Sequence, residues 1–221
     1  MTEQEWLTSS DPEAMAEAAK EYLRSDYPHG PRTERKRVLF SIGCCRLVWQ
    51  WVAADARCLR LVEHLETRYD SPSSDVDEDE LWRDVKDAAR HPDDDTPLLQ
   101  MLAADLVYDV GIPETVIGTL FRGFEGWKTP SERARLMAGL LRDIVGNPFR
   151  PVTFDPAWRT SDALILSQQM YESRDFGAMP ILADALQEAG CEHPDILTHC
   201  RDASLTHVRG CWVVDLLLGK E

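Results

Sequence analysis

Apolar residues recur every three or four positions along most of the chain, the spacing of helices that bury one face. The pattern is cleanest between Leu136 and Val145. Between Thr33 and Val52 the same spacing places Cys45 on the buried face of a helix. No convincing stretch shows the strict alternation of a half-buried strand, although Val213-Val214 leaves a short strand open. The pattern predicts an all-α fold of roughly ten helices.

Proline, glycine and capping residues give the approximate limits of these helices. The expected helical ranges are 12–24, 33–52, 55–69, 81–90, 97–110, 113–123, 131–145, 161–173, 176–189, 193–201 and 204–218. We expect one domain, 1–221, with a possible subdivision into 1–145 and 146–221 at the Gly146-Asn147-Pro148 stop signal.

The segment from Asn147 to Trp158 combines proline with aromatic residues. Its three prolines exclude a helix, because each lacks a backbone donor and its ring clashes with the preceding turn. We expect the segment to lie extended on the surface, with its aromatic side chains pinned into grooves between helices. As an alternative, Phe149, Phe154 and Trp158 form a recognition site for a partner.

Composition narrows the class of partner. The 221 residues include 43% hydrophobic and 29% charged side chains, an ordinary mix for a soluble globular protein. Acidic residues number 39 against 24 basic ones, for a net charge of −15. This charge argues against nucleic acid as a partner and favours a basic protein. We expect no membrane span and a cytoplasmic location, because no long apolar run is present and the first residues, Met1 to Trp6, do not resemble a secretory signal.

The six cysteines are expected to be reduced. The chain is long enough to fold without disulfides, and Cys44 and Cys45 are adjacent. With Cys58, these two residues fall on apolar helix faces, so we predict that all three are core residues.

Six potential soft metal ligands fall between residues 191 and 211. They are Cys191, His193, His199, Cys200, His207 and Cys211. Zinc is held by four such groups in a tetrahedron, and residues four apart share one helix face, so His207 and Cys211 suit one ion.

The favoured interpretation is that no cofactor is bound, that the cysteines are core residues and that the histidines form hydrogen bonds. The alternative is a zinc site formed by Cys191, Cys200, His207 and Cys211, with His199 or His193 as substitutes. In a third interpretation, Cys200 or Cys211 is a reactive thiol activated by neighbouring basic groups.

Established catalytic motifs are missing from the sequence. It contains no nucleophile elbow, phosphate-binding glycine loop, H-E-x-x-H zinc motif or dinucleotide fingerprint. An enzyme is therefore not the favoured interpretation. The leading hypothesis is a non-enzymatic interaction or regulatory protein with an acidic surface. The alternatives are a zinc-stabilised regulatory module and a metal-dependent hydrolase or nuclease with an unfamiliar helical site.

Several sequence elements resemble a known group of proteins. They are the start MTEQEWL with Asp11-Pro12, the Cys44-Cys45-Arg46 element, the segment LRDIVGNPFRP at 141–151 and the end HVRGCWVVD at 207–215. These elements are similar to those of a large paralogous family of planctomycete proteins. The resemblance implies a cytoplasmic protein from a lineage-specific expansion and supplies no catalytic residue.

Overall fold

The computed structural model describes residues 1–20, 31–70, 76–91, 104, 107–108, 113–124 and 127–220. The helices with described bounds are α1 (Glu3–Thr8), α2 (Pro12–Ala18), α3 (Pro31–Leu47), α4 (Trp49–Val52), α5 (Ala56–Thr67), α6 (Glu78–Arg90), α7 (Pro113–Gly123), α8 (Pro130–Val145), α9 (Ser161–Ser173), α10 (Met179–Glu188), α11 (Pro194–Arg201) and α12 (Trp212–Leu218). A 3-10 helix covers Pro156–Trp158. No β-strand occurs in the described residues, and the all-α prediction is confirmed.

The chain divides into two compact units. Residues 1–8 and 139–221 form one, here called the C-terminal unit, and residues 9–138 form the N-terminal unit. The boundary at Gly139 falls inside α8, upstream of Gly146, where the sequence suggested a subdivision. Helix α1 opens the chain but belongs to the C-terminal unit.

Helix starts follow the local capping chemistry. Asp11 caps α2 by accepting hydrogen bonds from the backbone N–H groups of the next turn, with Pro12 in the first helical position. A reciprocal capping box begins α8. There the Thr129 hydroxyl accepts from the backbone N–H of Glu132, and the Glu132 carboxylate accepts from the backbone N–H of Thr129.

The core of the N-terminal unit contains three of the cysteines. Cys44, Cys45 and Cys58 are completely buried free thiols, as predicted. Burial raises the pKa of all three, to about 12 for Cys58, because a thiolate loses its hydration in an apolar interior.

Helices α9 to α12 supply most of the core of the C-terminal unit. Its fully buried side chains include Met179, Leu182, Leu186, Ile196, Val213, Val214 and Leu217. The segment after α8 packs Phe154 and Trp158 against this core, partly buried and in edge-to-face contact at 5.3 Å. It is extended only at residues 151–155, because residues 148–150 form a turn and Pro156–Trp158 form the 3-10 helix that the prolines were expected to exclude. Phe149 is 43% exposed, so of the three predicted partner-binding residues it is the most accessible.

Three details differ from the expected helices. The last helix begins at Trp212 rather than near Ser204. Residues 203–211 form turns and a loop instead, in which Gly210 takes a φ of +95°, outside the helical region. Val213-Val214, a possible strand, lies within that helix. The expected helix at 33–52 divides at Val48 into α3 and α4.

The short helix α1 was not foreseen from the sequence. Most of the expected helix at 97–110 lies outside the described residues. Within the described part of the chain, no helix is both long enough and apolar enough to cross a bilayer.

The hydroxyl of Ser167 provides a test of this packing. It is completely buried in α9, and it has no hydrogen-bond partner among the described residues. Because a buried unpaired hydroxyl costs free energy, Ser167→Ala should raise the free energy of unfolding by about 1 kcal/mol, measured by urea denaturation.

Ser173→Ala in the same helix is the matched control. The Ser173 hydroxyl is exposed and donates to the carbonyl of Gln169 at 2.7 Å, so its removal should give no stabilisation. A loss of stability in Ser167→Ala would contradict this description of the core.

Candidate metal centre

Four side chains of the C-terminal unit direct donor atoms to one point. They are Asp143, His199, His207 and Cys211, and their donor atoms all lie within 4.8 Å of one another. Asp143 lies in the last turn of α8, and His199 lies on α11. His207 lies in the loop before α12, and Cys211 is the residue that precedes the first residue of α12.

The Asp143 carboxylate is at the centre of the group. Its Oδ1 lies 2.6 Å from Nδ1 of His207 and 3.2 Å from Nε2 of His199. Its Oδ2 accepts a hydrogen bond from the backbone N–H of Val208 at 2.9 Å. One oxygen therefore faces the two imidazoles, while the other fixes the loop that carries His207.

The thiol of Cys211 completes the group. Its Sγ lies 3.3 Å from Nε2 of His199 and 3.9 Å from Nδ1 of His207. One oxygen, two nitrogens and one sulfur thus face each other, the mixture of donors that zinc accepts in proteins.

The ring planes of the two histidines are set by neighbouring aromatic residues. The imidazoles of His199 and His207 meet edge to face, with centroids 4.9 Å apart. The ring of His199 also lies 5.2 Å from that of Trp212, and the ring of His207 lies 6.4 Å from that of Phe176. These contacts restrict ring rotation, so both nitrogens stay aimed at Asp143.

Burial governs the electrostatics of the site. Asp143 and Cys211 are completely buried, and His199 is 8% exposed. Burial by itself would raise the pKa of Asp143, but hydrogen bonds with His199 and His207 outweigh it and hold that pKa below its usual range. The hydrogen bonds to the two imidazoles therefore favour the carboxylate form of Asp143 despite its burial.

The cysteines of this region do not have the properties of reactive thiols. Burial raises the pKa of Cys211 well above its usual range, and the charge of Asp143 adds to the effect. Burial likewise raises the pKa of Cys200 to about 12. A nucleophilic cysteine needs the opposite shift, so burial and this shift both disfavour the reactive-thiol interpretation.

The structure brings together two of the four ligands predicted from the sequence. His207 and Cys211 belong to the donor group, whereas Cys191 and Cys200 are buried in the apolar core and are not part of it. His199, named as a substitute, occupies one of the remaining places. His193 precedes α11 and also lies outside the group.

Asp143 was missed by the sequence reasoning. One signal was available, because this acid lies beside Leu140 and Ile144 on a clearly amphipathic helix. An ionisable residue at the edge of a buried stripe needs compensation by other groups.

Comparisons with other proteins add no assignment. No protein-family model, no curated protein and no solved structure matches this chain.

Asp143 should be essential for stability even without metal. Asp143→Asn keeps the shape of the side chain but removes the negative charge. Its N–H₂ group must then face either the imidazole nitrogens or the backbone N–H of Val208. Breaking such a buried charged network should cost about 3 kcal/mol in the free energy of unfolding, measured by urea denaturation in the presence of a chelator.

Asp162→Asn is the control for this change. Asp162 is an exposed acid at the start of α9 in the same unit, and its substitution should change stability by less than about 0.5 kcal/mol. Equal effects of the two substitutions would show that the buried network contributes no special stability.

Proposed function

We propose that this protein is a non-enzymatic regulatory or interaction protein whose C-terminal unit is stabilised by one zinc ion bound to Asp143, His199, His207 and Cys211. The observation that carries the proposal is the convergence of these four donors within 4.8 Å. They come from four positions spread over residues 143 to 211, so one ion would join the end of α8, helix α11, the following loop and the start of α12.

The separations of the donor atoms support zinc. In a tetrahedral site with zinc bonds of about 2.0–2.3 Å, neighbouring donors lie roughly 3.2–3.8 Å apart. The contacts at 3.2, 3.3 and 3.9 Å are close to this range. The hydrogen bond of 2.6 Å between Asp143 and His207 is shorter, and a metal would replace it.

The orientation of Asp143 supports the same ligand set. Metal-binding carboxylates commonly accept a second hydrogen bond that fixes their orientation. Here the backbone N–H of Val208 binds Oδ2, which leaves Oδ1 directed toward the other three donors.

Burial supports a structural rather than a catalytic ion. A catalytic zinc keeps one coordination position for water or substrate, whereas a structural zinc is bound by four protein ligands. This group supplies four donors, of which Asp143 and Cys211 are completely buried. The arrangement therefore favours a structural module over the metal-dependent hydrolase or nuclease considered from the sequence.

Charge supports a basic protein as the partner. The net charge of −15 would attract a basic surface and speed the encounter, and added salt would screen this attraction. The six buried free thiols support a reducing compartment such as the cytoplasm.

Metal analysis tests the zinc site. Protein purified under reducing conditions should contain one equivalent of zinc, and chelation should lower its melting temperature because metal binding contributes to folding. His199→Ala and Cys211→Ala should lose the zinc, since each removes one of four ligands.

Cys191→Ala and Cys200→Ala are the matched controls, because each removes a buried thiol from the same unit outside the donor group. Both should keep the zinc. Less than about half an equivalent in the unaltered protein would refute the site. Loss of zinc in Cys200→Ala with retention in His199→Ala would refute this ligand set and favour the one predicted from sequence.

A further inference from the structure

The ends of helices α1 and α8 bind each other through reciprocal hydrogen bonds. The indole N–H of Trp6, a fully buried residue, donates to the carbonyl oxygen of Gly146 at 3.0 Å. In return, Nε and Nη2 of Arg142 donate to the carbonyl oxygen of Trp6 at 3.0 and 2.8 Å. Carbonyl groups at the end of a helix have no partner within it, so each contact satisfies an acceptor that would otherwise be unpaired.

Glu3 adds contacts to this junction, the surface where α1 meets residues 142–150. Its Oε1 accepts a hydrogen bond from Nδ2 of Asn147 at 2.7 Å and lies 3.4 Å from Nε of Arg150. Helix α1 has only six residues, too few to be stable alone in water. It therefore forms because it is docked on residues 142–150 of its own unit.

The junction adjoins the carboxylate of the candidate metal centre. Asp143 lies in the same turn of α8 as Arg142 and is followed three residues later by Gly146. Hydrogen bonds on both sides hold this turn in place. A shift of the turn would carry the Asp143 carboxylate with it.

The same junction reaches two other donors through Trp212. Gly146 has a φ of +73°, and a Cβ there would lie 3.2 Å from the Trp212 ring, so backbone and ring are in close contact. Trp212 follows Cys211 in the chain, and its ring lies 5.2 Å from that of His199. The residues that hold Asp143, His199 and Cys211 in place therefore all contact the site where α1 docks.

We propose that α1 is a positioning element of the metal centre, in which Trp6 and Arg142 hold Asp143 and the Trp212 ring so that the four donors are ready to bind zinc. The inference rests on the proposed zinc site. Groups that orient metal ligands without touching the metal typically contribute tenfold to a hundredfold in metal affinity. The first eight residues would thus control how tightly the four donors between residues 143 and 211 bind their ion.

The test uses the full chain with two independent substitutions. Trp6→Phe keeps an aromatic ring in the core but removes the indole donor. Arg142→Met keeps an unbranched stem but removes both guanidinium donors. Each variant should bind zinc about tenfold more weakly than the unaltered protein, measured by competition with a chromogenic chelator.

Two further readouts separate positioning from a general loss of stability. Circular dichroism should show that each metal-free variant is folded at the temperature of the measurement. The absorption spectrum of the Co²⁺-substituted protein should change, because displaced ligands alter the field around the metal. Leu7→Ala, which changes a residue 47% exposed on the same helix, should leave both the zinc affinity and the Co²⁺ spectrum unchanged.

The possible outcomes are distinct. Unaltered zinc affinity and Co²⁺ spectra in both variants, with or without a lower melting temperature, would show that α1 is only structural and would overturn the inference. If one variant fails to fold, the other decides. If the unaltered protein binds neither zinc nor Co²⁺, the proposed zinc site itself is wrong and this inference fails with it.

Discussion

The completely buried carboxylate of Asp143 places a strong constraint on the C-terminal unit. An anion removed from water is costly unless charged or hydrogen-bonding groups surround it. Here the surrounding groups are the imidazoles of His199 and His207, both far from Asp143 in the sequence, and the backbone N–H of Val208. Meeting this requirement fixes the end of α8 against α11 and gives the loop before α12 a defined path.

The same requirement explains why the donors form a cation site. Groups that compensate a buried carboxylate must approach one of its oxygens closely, so their nitrogens meet at one point. The Cys211 thiol is added to this point because it precedes α12 immediately after the loop that Asp143 anchors. A metal would exchange a network of hydrogen bonds for coordinate bonds among the same atoms, with little rearrangement of the chain.

Helical periodicity predicted the fold because it depends on local spacing alone. In the run from Leu136 to Val145, for example, the apolar residues Met137, Leu140, Leu141, Ile144 and Val145 are buried as their spacing predicts, and Leu136 is partly buried. The metal centre depends on contacts between residues far apart, and only part of it could be predicted. His207 and Cys211 were paired on the assumption of a shared helix face, yet they meet across a loop and a helix start.

The other two ligands, His199 and Asp143, could not be predicted from the spacing of residues along the chain. Cys200 and His199 are neighbours that point in different directions from α11, and spacing alone could not decide which of them faces the centre. Asp143 is one of 39 acidic residues and lies 64 residues before His207, so no local pattern connects them.

The docking of α1 on residues 142–150 and the binding of a metal at the centre are linked equilibria, so each affects the other equally. If α1 increases the affinity of the centre for a metal, the metal must increase the docking of α1 by the same factor. A six-residue helix has little stability of its own, so its docking equilibrium is sensitive to such coupling. Occupancy of a buried site near the C-terminus would therefore be communicated to the N-terminal helix through Trp6, Gly146 and Trp212, without any ligand contacting α1 itself.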